Sequence, residues 1–372
     1  MISKSYKRSL LLGGILLVAV FYMLSKEPRE KKFEGKTMGT TYHVSYIYPL
    51  FSNSVADTSK KVYDSLHDVD LRMSTYRENS ELMRFNRAPL NKPIKLSPAI
   101  VAVVKESQAV SALSGGAYDV TVGPLVNLWG FGPKDQDPKA SNKHDKHDVR
   151  APEFIDWMLN HYPVQVPSKA AIEKARDRVG YRYVIANTEN NTLTRTRPVF
   201  VDLSSIAKGY GVDQAARTLD DLGIDSYLVE VGGEVRSRGK KADGSPWRVA
   251  INKPDLSGGR PEAIVELGNK GMATSGDYLN FFELNGKRYS HEINPVTGMP
   301  VMNRLAEVAV IRDTVTEADA LATMFMVFGD KKGLAFANKH GIAAYFTYHD
   351  GHGFKSVASD AFKPYLVAQK KH

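Results

Sequence analysis

Polar and apolar residues alternate with period two along TMGTTYHVSYIY at 37–48, the pattern of a half-buried strand. Apolar positions at helical spacing predict helices over 54–72 and 97–114, the second opening at Ser97-Pro98 with proline in its first turn. Helical patterns return at 168–179, 205–222 and 316–328. YRYVIAN, LTRTRPVFVDL, YLVEVGGEV and PWRVAINKP read as strands, and AIVELGNKGMATSG as a strand entering a loop. GAYDVTVGPLVNLWGFGP mixes loop and helix. Residues 134–151, KDQDPKASNKHDKHDVRA, are polar, carry proline and have no periodicity, so they read as part of a surface insertion over 134–164. His144 and His147 within it have no apolar framework around them and read as solvated. No repeat of fixed period is present. The body reads as one α+β unit over 33–372 with mostly antiparallel strands.

The N-terminal 1–32 follow another grammar. LLLGGILLVAVFYML at 10–24 carries no charge and is preceded by Lys4, Lys7 and Arg8. A basic segment before an apolar run is the form of an export signal. No small-residue cleavage site follows, since the run ends in Met23-Leu24-Ser25-Lys26. The expectation is an uncleaved signal-anchor helix, then a charged stalk at 26–36, with the body outside the membrane. Fifteen helical residues span only about 23 Å of a roughly 30 Å hydrocarbon core, so flanking Tyr6, Ser9 and a snorkelling Lys26 would extend the span.

The formal charge of +9 over 372 residues suggests a polyanion partner until it is located. Residues 1–36 hold eight Lys or Arg against three Glu, which leaves +4 for the remainder. A body so mildly charged implies no nucleic-acid partner. With no Cys in the chain, thiol nucleophiles, thiolate zinc sites, iron–sulfur clusters and a lipid-bearing cysteine are all excluded.

Polar and glycine-rich clusters interrupt the apolar pattern. They are Thr37-Met38-Gly39-Thr40, Ser74-Thr75-Tyr76-Arg77, Gly116-Ala117-Tyr118-Asp119 and DLSSIAKGY at 202–210. VGGE at 231–234, ATSGD at 273–277, SHEINPVTG at 290–298 and TEADALAT at 316–323 follow. Taken singly, none decides a function. Together and in this order they resemble the ApbE family of flavin transferases, which move FMN from FAD onto a protein threonine. The likeness runs over about 33–367 and is carried most specifically by DLSSIAKGYGVD, VEVGGEVRSRGK, MATSGDY, SHEINPVTG and TEADALATMFMV.

Asp319 and Thr323 are spaced i, i+4, which places a carboxylate and a hydroxyl on one helix face. Such oxygens suit Mg²⁺, but Thr316-x-x-Asp319 is also a capping-box pattern, and the residues alone leave the two readings level. The resemblance implies the metal reading, with the backbone carbonyl of Ser205 as a third oxygen. Lys208, beside Gly209 where a helix begins, is either a solvated surface lysine or part of an anion site. The resemblance implies contact with FAD. It also implies that Met38, Tyr76, Ala117, Tyr118 and Asp119 line the FAD site, Tyr76 covering a flat ring; a core tyrosine and a core methionine are the plainer readings. His291 is the general-base candidate, because imidazole titrates near neutrality, although a lone histidine is usually structural. Asn294 stands where many relatives carry Asp, so it keeps an acceptor oxygen for an adenosine contact and loses the charge. Asp277 is the next base candidate.

The implied reaction is FAD plus protein threonine giving FMN-protein plus AMP, with Mg²⁺ as cofactor. The implied acceptors are exported domains of membrane redox complexes, of the sodium-pumping quinone reductase type and its relatives. The implied location is the inner membrane, with the body on its periplasmic face. A Mg²⁺-dependent FAD pyrophosphatase would use the same residues; a flavin-binding protein without catalysis is the alternative of another class, and His291, Asp319 and Thr323 together argue against it.

Overall fold

The computed structural model describes residues 28–49, 54–131, 166–254, 261–276, 281–284 and 287–368. The apolar run at 10–24, the insertion at 134–164 with His144 and His147, and Asp277 lie outside them. No helix among the described residues is long and apolar enough to cross a membrane.

The scaffold is an α+β arrangement around an eight-stranded antiparallel sheet. Its strands, in spatial order, are β1 (Pro28–Thr37), β2 (Thr40–Pro49), β6 (Tyr227–Val231), β7 (Glu234–Arg238), β10 (Gly271–Gly276), β13 (Leu305–Arg312), β14 (Ala343–His349) and β15 (Phe354–Ala358). Smaller sheets are built from β3 (Ile94–Lys95), β5 (Thr192–Arg195) and β4 (Val184–Asn187), from β8 (Arg248–Ile251) with β9 (Ala263–Glu266), and from β11 (Phe281–Leu284) with β12 (Lys287–Ser290). Helices are α1 (Val55–Met73), α2 (Glu81–Arg87), α3 (Pro98–Leu113), α4 (Gly123–Leu128), α5 (Lys169–Arg176), α6 (Ala207–Asp221) and α7 (Val315–His340).

The central strand β13 is buried along seven of its eight residues, so both its faces are covered. Val308 and Val310 face the main core, which α1, α3, α6 and α7 complete. Ala309 and Ile311 face a second core closed by β8, β9 and Phe362. In α1, Val62, Leu66, Val69 and Met73 recur at spacings of four and three and bury one stripe, while Ser54 accepts from the Asp57 N–H at its start. α7 is buried on nearly every side through Phe325, and it takes Thr316 and Asp319 into the interior with its apolar residues. A third, smaller cluster of Leu125, Trp129, Ile172 and Ile293 holds α4 and α5 together.

Several elements differ from the sequence pattern. The expected stalk is strand from Pro28 on, paired with β2 from Pro28↔Pro49 to Thr37↔Thr40. AIVELGNKGMATSG forms two strands, β9 and β10, and LTRTRPVFVDL is strand only through Arg195. The helix expected over 316–328 does end there, since Gly329 leaves helical geometry with φ 73° and ψ 176°, and a second helical stretch that the pattern did not show completes α7 to His340.

Candidate active site

Two hairpin turns meet at one end of the sheet. The first, at Met38-Gly39, joins β1 to β2 and holds Met38 at φ 49°. The second, Gly232-Gly233, joins β6 to β7 with φ of 59° and 102°, the two-residue turn that positive φ at both positions allows. The Gly232 N–H donates to the Thr41 carbonyl at 3.0 Å, and a Cβ on Gly232 would lie 2.8 Å from Thr40 Cγ2, so the turns pack directly together. A Cβ on Gly233 would lie 3.5 Å from Thr274 Oγ1, which brings the ATSG segment to the same place. Met38 Sδ sits beside Gly211 of α6.

Helices α6 and α7 cross here at Gly209. A Cβ on Gly209 would stand 2.4 Å from the Val315 carbonyl oxygen and 2.9 Å from Asp319 Cβ, so no larger residue fits without moving a helix. The crossing has a chemical consequence. The Gly209 N–H donates to Asp319 Oδ2 at 2.9 Å. Gly209 is the third residue of α6, so its N–H is one of the donors that a helix start leaves without an intrahelical acceptor, and Asp319 satisfies it from α7. Ser205 Oγ is occupied elsewhere, donating to the Tyr118 phenol oxygen at 3.0 Å. The cap of α7 itself is Thr314, whose Oγ1 accepts from the Glu317 N–H at 3.3 Å. The N-cap of α7 is therefore Thr314, and Asp319 is not needed as a cap for its own helix. Its neighbour Thr323 lies one turn further on, partly exposed.

Lys208 joins this cluster from the other side. Its Nζ donates to Glu234 Oε1 at 2.5 Å, and about a third of its side chain stays open to solvent. Glu234 is fully buried, and its Oε2 has no hydrogen-bond partner. Burial pushes the Glu234 carboxyl up, and the Lys208 ammonium partly offsets that. Asp319 is raised for the same reason, against the pull of Lys208 and the Gly209 N–H. Burial alone would lower Lys208, but the charges of Glu234 and Asp319 outweigh it and hold the ammonium above its ordinary range. Two carboxylates thus share one ammonium in a largely water-excluded place.

The remaining candidates are distributed around this centre. Tyr118 is buried and touches it through Ser205, with Ala117 buried beside it. Asp119 points its oxygens into the fold, accepting from the Thr121 N–H and Oγ1 and from the Tyr181 N–H at 2.7–2.8 Å. Tyr76 is the most open of the large apolar side chains among the described residues, 76% exposed, with the Asp202 charge nearby. The His291 loop passes alongside Gly116, where a Cβ would lie 3.8 Å from Val296 Cγ2. His291 has its ring edge-on to Phe131 and its Nε2 3.5 Å from Glu292 Oε1. Asn294 Oδ1 accepts from the Val296 and Thr297 N–H groups at 2.9 and 3.2 Å, so its oxygen shapes the loop.

Two acids had no role assigned from sequence. Glu234 was visible only as the residue after a Gly-Gly turn in an apolar strand. Asp213 ends the DLSSIAKGYGVD segment, and its carboxylate accepts from the Val315 and Thr316 N–H groups, from Thr316 Oγ1 and from Arg236. It fixes the start of α7, and with it Asp319. A spacing argument could not find it, because its partners at the start of α7 lie about a hundred residues away.

Comparison with known proteins agrees along almost the whole chain. The ApbE family matches residues 38–346. A FAD:protein FMN transferase of Haemophilus influenzae is 41% identical over 363 residues, covering 95% of this chain and 97% of that protein. The Escherichia coli protein of the same name is 37% identical over 369 residues, covering 96% and 97%. The solved flavin transferase ApbE from Vibrio cholerae superposes with a TM-score of 0.77 at 38% identity, covering 91% of this chain and all of that one. The apo flavinyl transferase ApbE from Pseudomonas stutzeri gives 0.78 at 36%, covering 92% and 98%.

Proposed function

The chain belongs to the ApbE family, and from that membership we propose that it moves the FMN moiety of FAD onto a threonine hydroxyl of an acceptor protein, with Mg²⁺ bound and AMP released. Flavin transfer from FAD to protein names relatives 37–41% identical over nearly the full chain, and this chain is an enzyme of that kind. The observation that supports the finer reading is the meeting of Asp319 and Lys208 at the start of α6, where the Gly209 N–H donates to Asp319 Oδ2 and the two charges act on one another.

The residues fit the metal. Asp319, the Ser205 carbonyl and Thr323 form an oxygen-only donor set of the kind a hard divalent ion takes. The excess of carboxylate over ammonium around Lys208 favours an added cation. No group of three or more His, Cys, Asp or Glu that could hold a metal occurs among the described residues. When bound, Mg²⁺ would neutralise charge on the pyrophosphate oxygens.

The other steps belong to the chain. Lys208 places its ammonium against the same phosphates and stabilises the charge that develops there. The threonine oxygen bonds to the FMN-side phosphorus, the pyrophosphate P–O bond breaks, and AMP leaves. His291 takes the proton from the threonine oxygen. Tyr76, exposed at the rim, covers the flavin ring. The acceptors are exported domains of membrane redox complexes, and the apolar run at 10–24 anchors the enzyme in the inner membrane with its body in the periplasm.

The test is incubation with FAD, Mg²⁺ and an acceptor domain, read as flavin fluorescence on the acceptor in a denaturing gel. Fluorescence lost on changing the acceptor threonine to valine supports transfer to threonine. Free FMN and AMP without labelled protein mean hydrolysis, and unchanged FAD means binding alone; either result overturns the reading.

A further inference from the structure

Glu234 takes no part in the steps above, yet it is the most completely buried acid among the described residues. A carboxylate stripped of water with one oxygen unpartnered is costly, and such groups persist where something else depends on them. Its one side-chain partner is Lys208, at 2.5 Å.

The fold holds Glu234 rigidly. It follows the Gly232-Gly233 turn directly, and that turn is pinned by the Gly233 N–H donating to Glu230 Oε1 at 2.6 Å and by the Gly232 N–H on the Thr41 carbonyl. Lys208 needs such a hold. Its four-carbon stem is flexible, its side chain is partly open to solvent, and an unfixed ammonium would spread over many rotamers. An ammonium has three donors; with one on Glu234 Oε1, the other two have fixed directions for phosphate oxygens.

We propose that Glu234 is a positioning residue that fixes the Lys208 ammonium for the phosphates of FAD. The proposal rests on the assignment of Lys208 to those phosphates. The energy of that hold is realised as charge builds on phosphate oxygen, so its loss should appear in kcat more than in the KM for FAD.

The experiment compares Glu234→Gln, Glu234→Leu, Lys208→Met and the two double variants in single-turnover and steady-state transfer. FAD affinity is followed separately by quenching of flavin fluorescence, and thermal midpoints check the fold. Gln keeps the shape without the charge, and Leu fills the buried space, so at least one keeps the protein folded. The expected result is a kcat lowered by about tenfold or more in both single variants, with KM and FAD affinity within about threefold, and no further loss when either is added to Lys208→Met. Wild-type kcat in the Glu234 variants beside a slow Lys208→Met overturns the positioning role alone. So does a Glu234 effect that persists in full without the lysine. Wild-type kcat in Lys208→Met shows that the phosphate assignment itself fails, and the positioning role with it.

Discussion

Asp319 and His291 stand in regions held together by different means. Asp319 lies in the main core, on a helix whose start is held by Asp213 and whose crossing with α6 is fixed at Gly209. His291 lies on a loop that makes its own shape, through Asn294 Oδ1 and the bond from Trp129 Nε1 to the Gly298 carbonyl at 2.8 Å. The loop rests on the small third cluster, where a Cβ on Gly298 would meet Ile172 and Arg176. The cluster assigned to cation and phosphate is therefore preorganised by the same packing that stabilises the protein. The loop proposed to accept the proton is held by a different cluster, separate from that packing.

Asp319→Ala should be the most damaging to activity. It removes a proposed metal oxygen and the acceptor of the Gly209 N–H, so transfer should fall below detection. The unpaired N–H costs about 1–3 kcal/mol, which the fold should survive. Single-turnover transfer and a thermal melt measure the two effects. Near-normal transfer in folded protein would remove Asp319 from the site. His291→Ala should slow transfer by about 10²–10⁴-fold with FAD affinity kept, and higher pH should restore part of the rate as hydroxide competes for the proton. Affinity falling in step with rate would make His291 a binding residue and erase the contrast between the regions.

Gly209→Ala joins chemistry to packing. Forcing a methyl against the Val315 carbonyl should cost about 1–3 kcal/mol and lower transfer together with the melting midpoint. Full activity at a lowered midpoint would show that the crossing is structural only. The smallest effect belongs to a buried acid outside the site. Glu307, on the second-core side of β13, is pushed up to about 7 by burial and the neighbouring Glu262 charge. Its folded form holds a proton that the unfolded chain has lost above about pH 4.5, so its contribution to stability is full below that and is lost as pH rises through 7. Glu307→Gln should raise the midpoint by a few degrees at about pH 8, by little at about pH 5, and leave transfer unchanged. An equal gain at both pH values would place the effect outside titration.

Helices were legible wherever apolar period and cap agreed, as at Ser97-Pro98, whose Ser97 Oγ accepts from the Ile100 N–H. Strand ends were not. β1 begins at Pro28, so a boundary placed at residue 33 falls inside a strand whose charged side chains suit an edge and also suit a stalk. In the site, ordered motifs brought out Ser205, Lys208, Asp319 and Thr323, and packing then set Ser205, Lys208 and Asp319 around one helix crossing. Local pattern could not show that Asp119 spends its carboxylate on Thr121 and Tyr181, nor that Asn294 spends its oxygen on its own turn. Nor could it show that Glu234 lies opposite Lys208, because strand pairing and helix crossing, both long-range, decide that contact.

The most direct test of the oxygen site is Mg²⁺ binding itself, followed by titration calorimetry on FAD-saturated wild-type and Asp319→Ala proteins. The account predicts one saturable Mg²⁺ site in the wild type and its loss in Asp319→Ala while FAD remains bound. Equal Mg²⁺ binding by both proteins would contradict it.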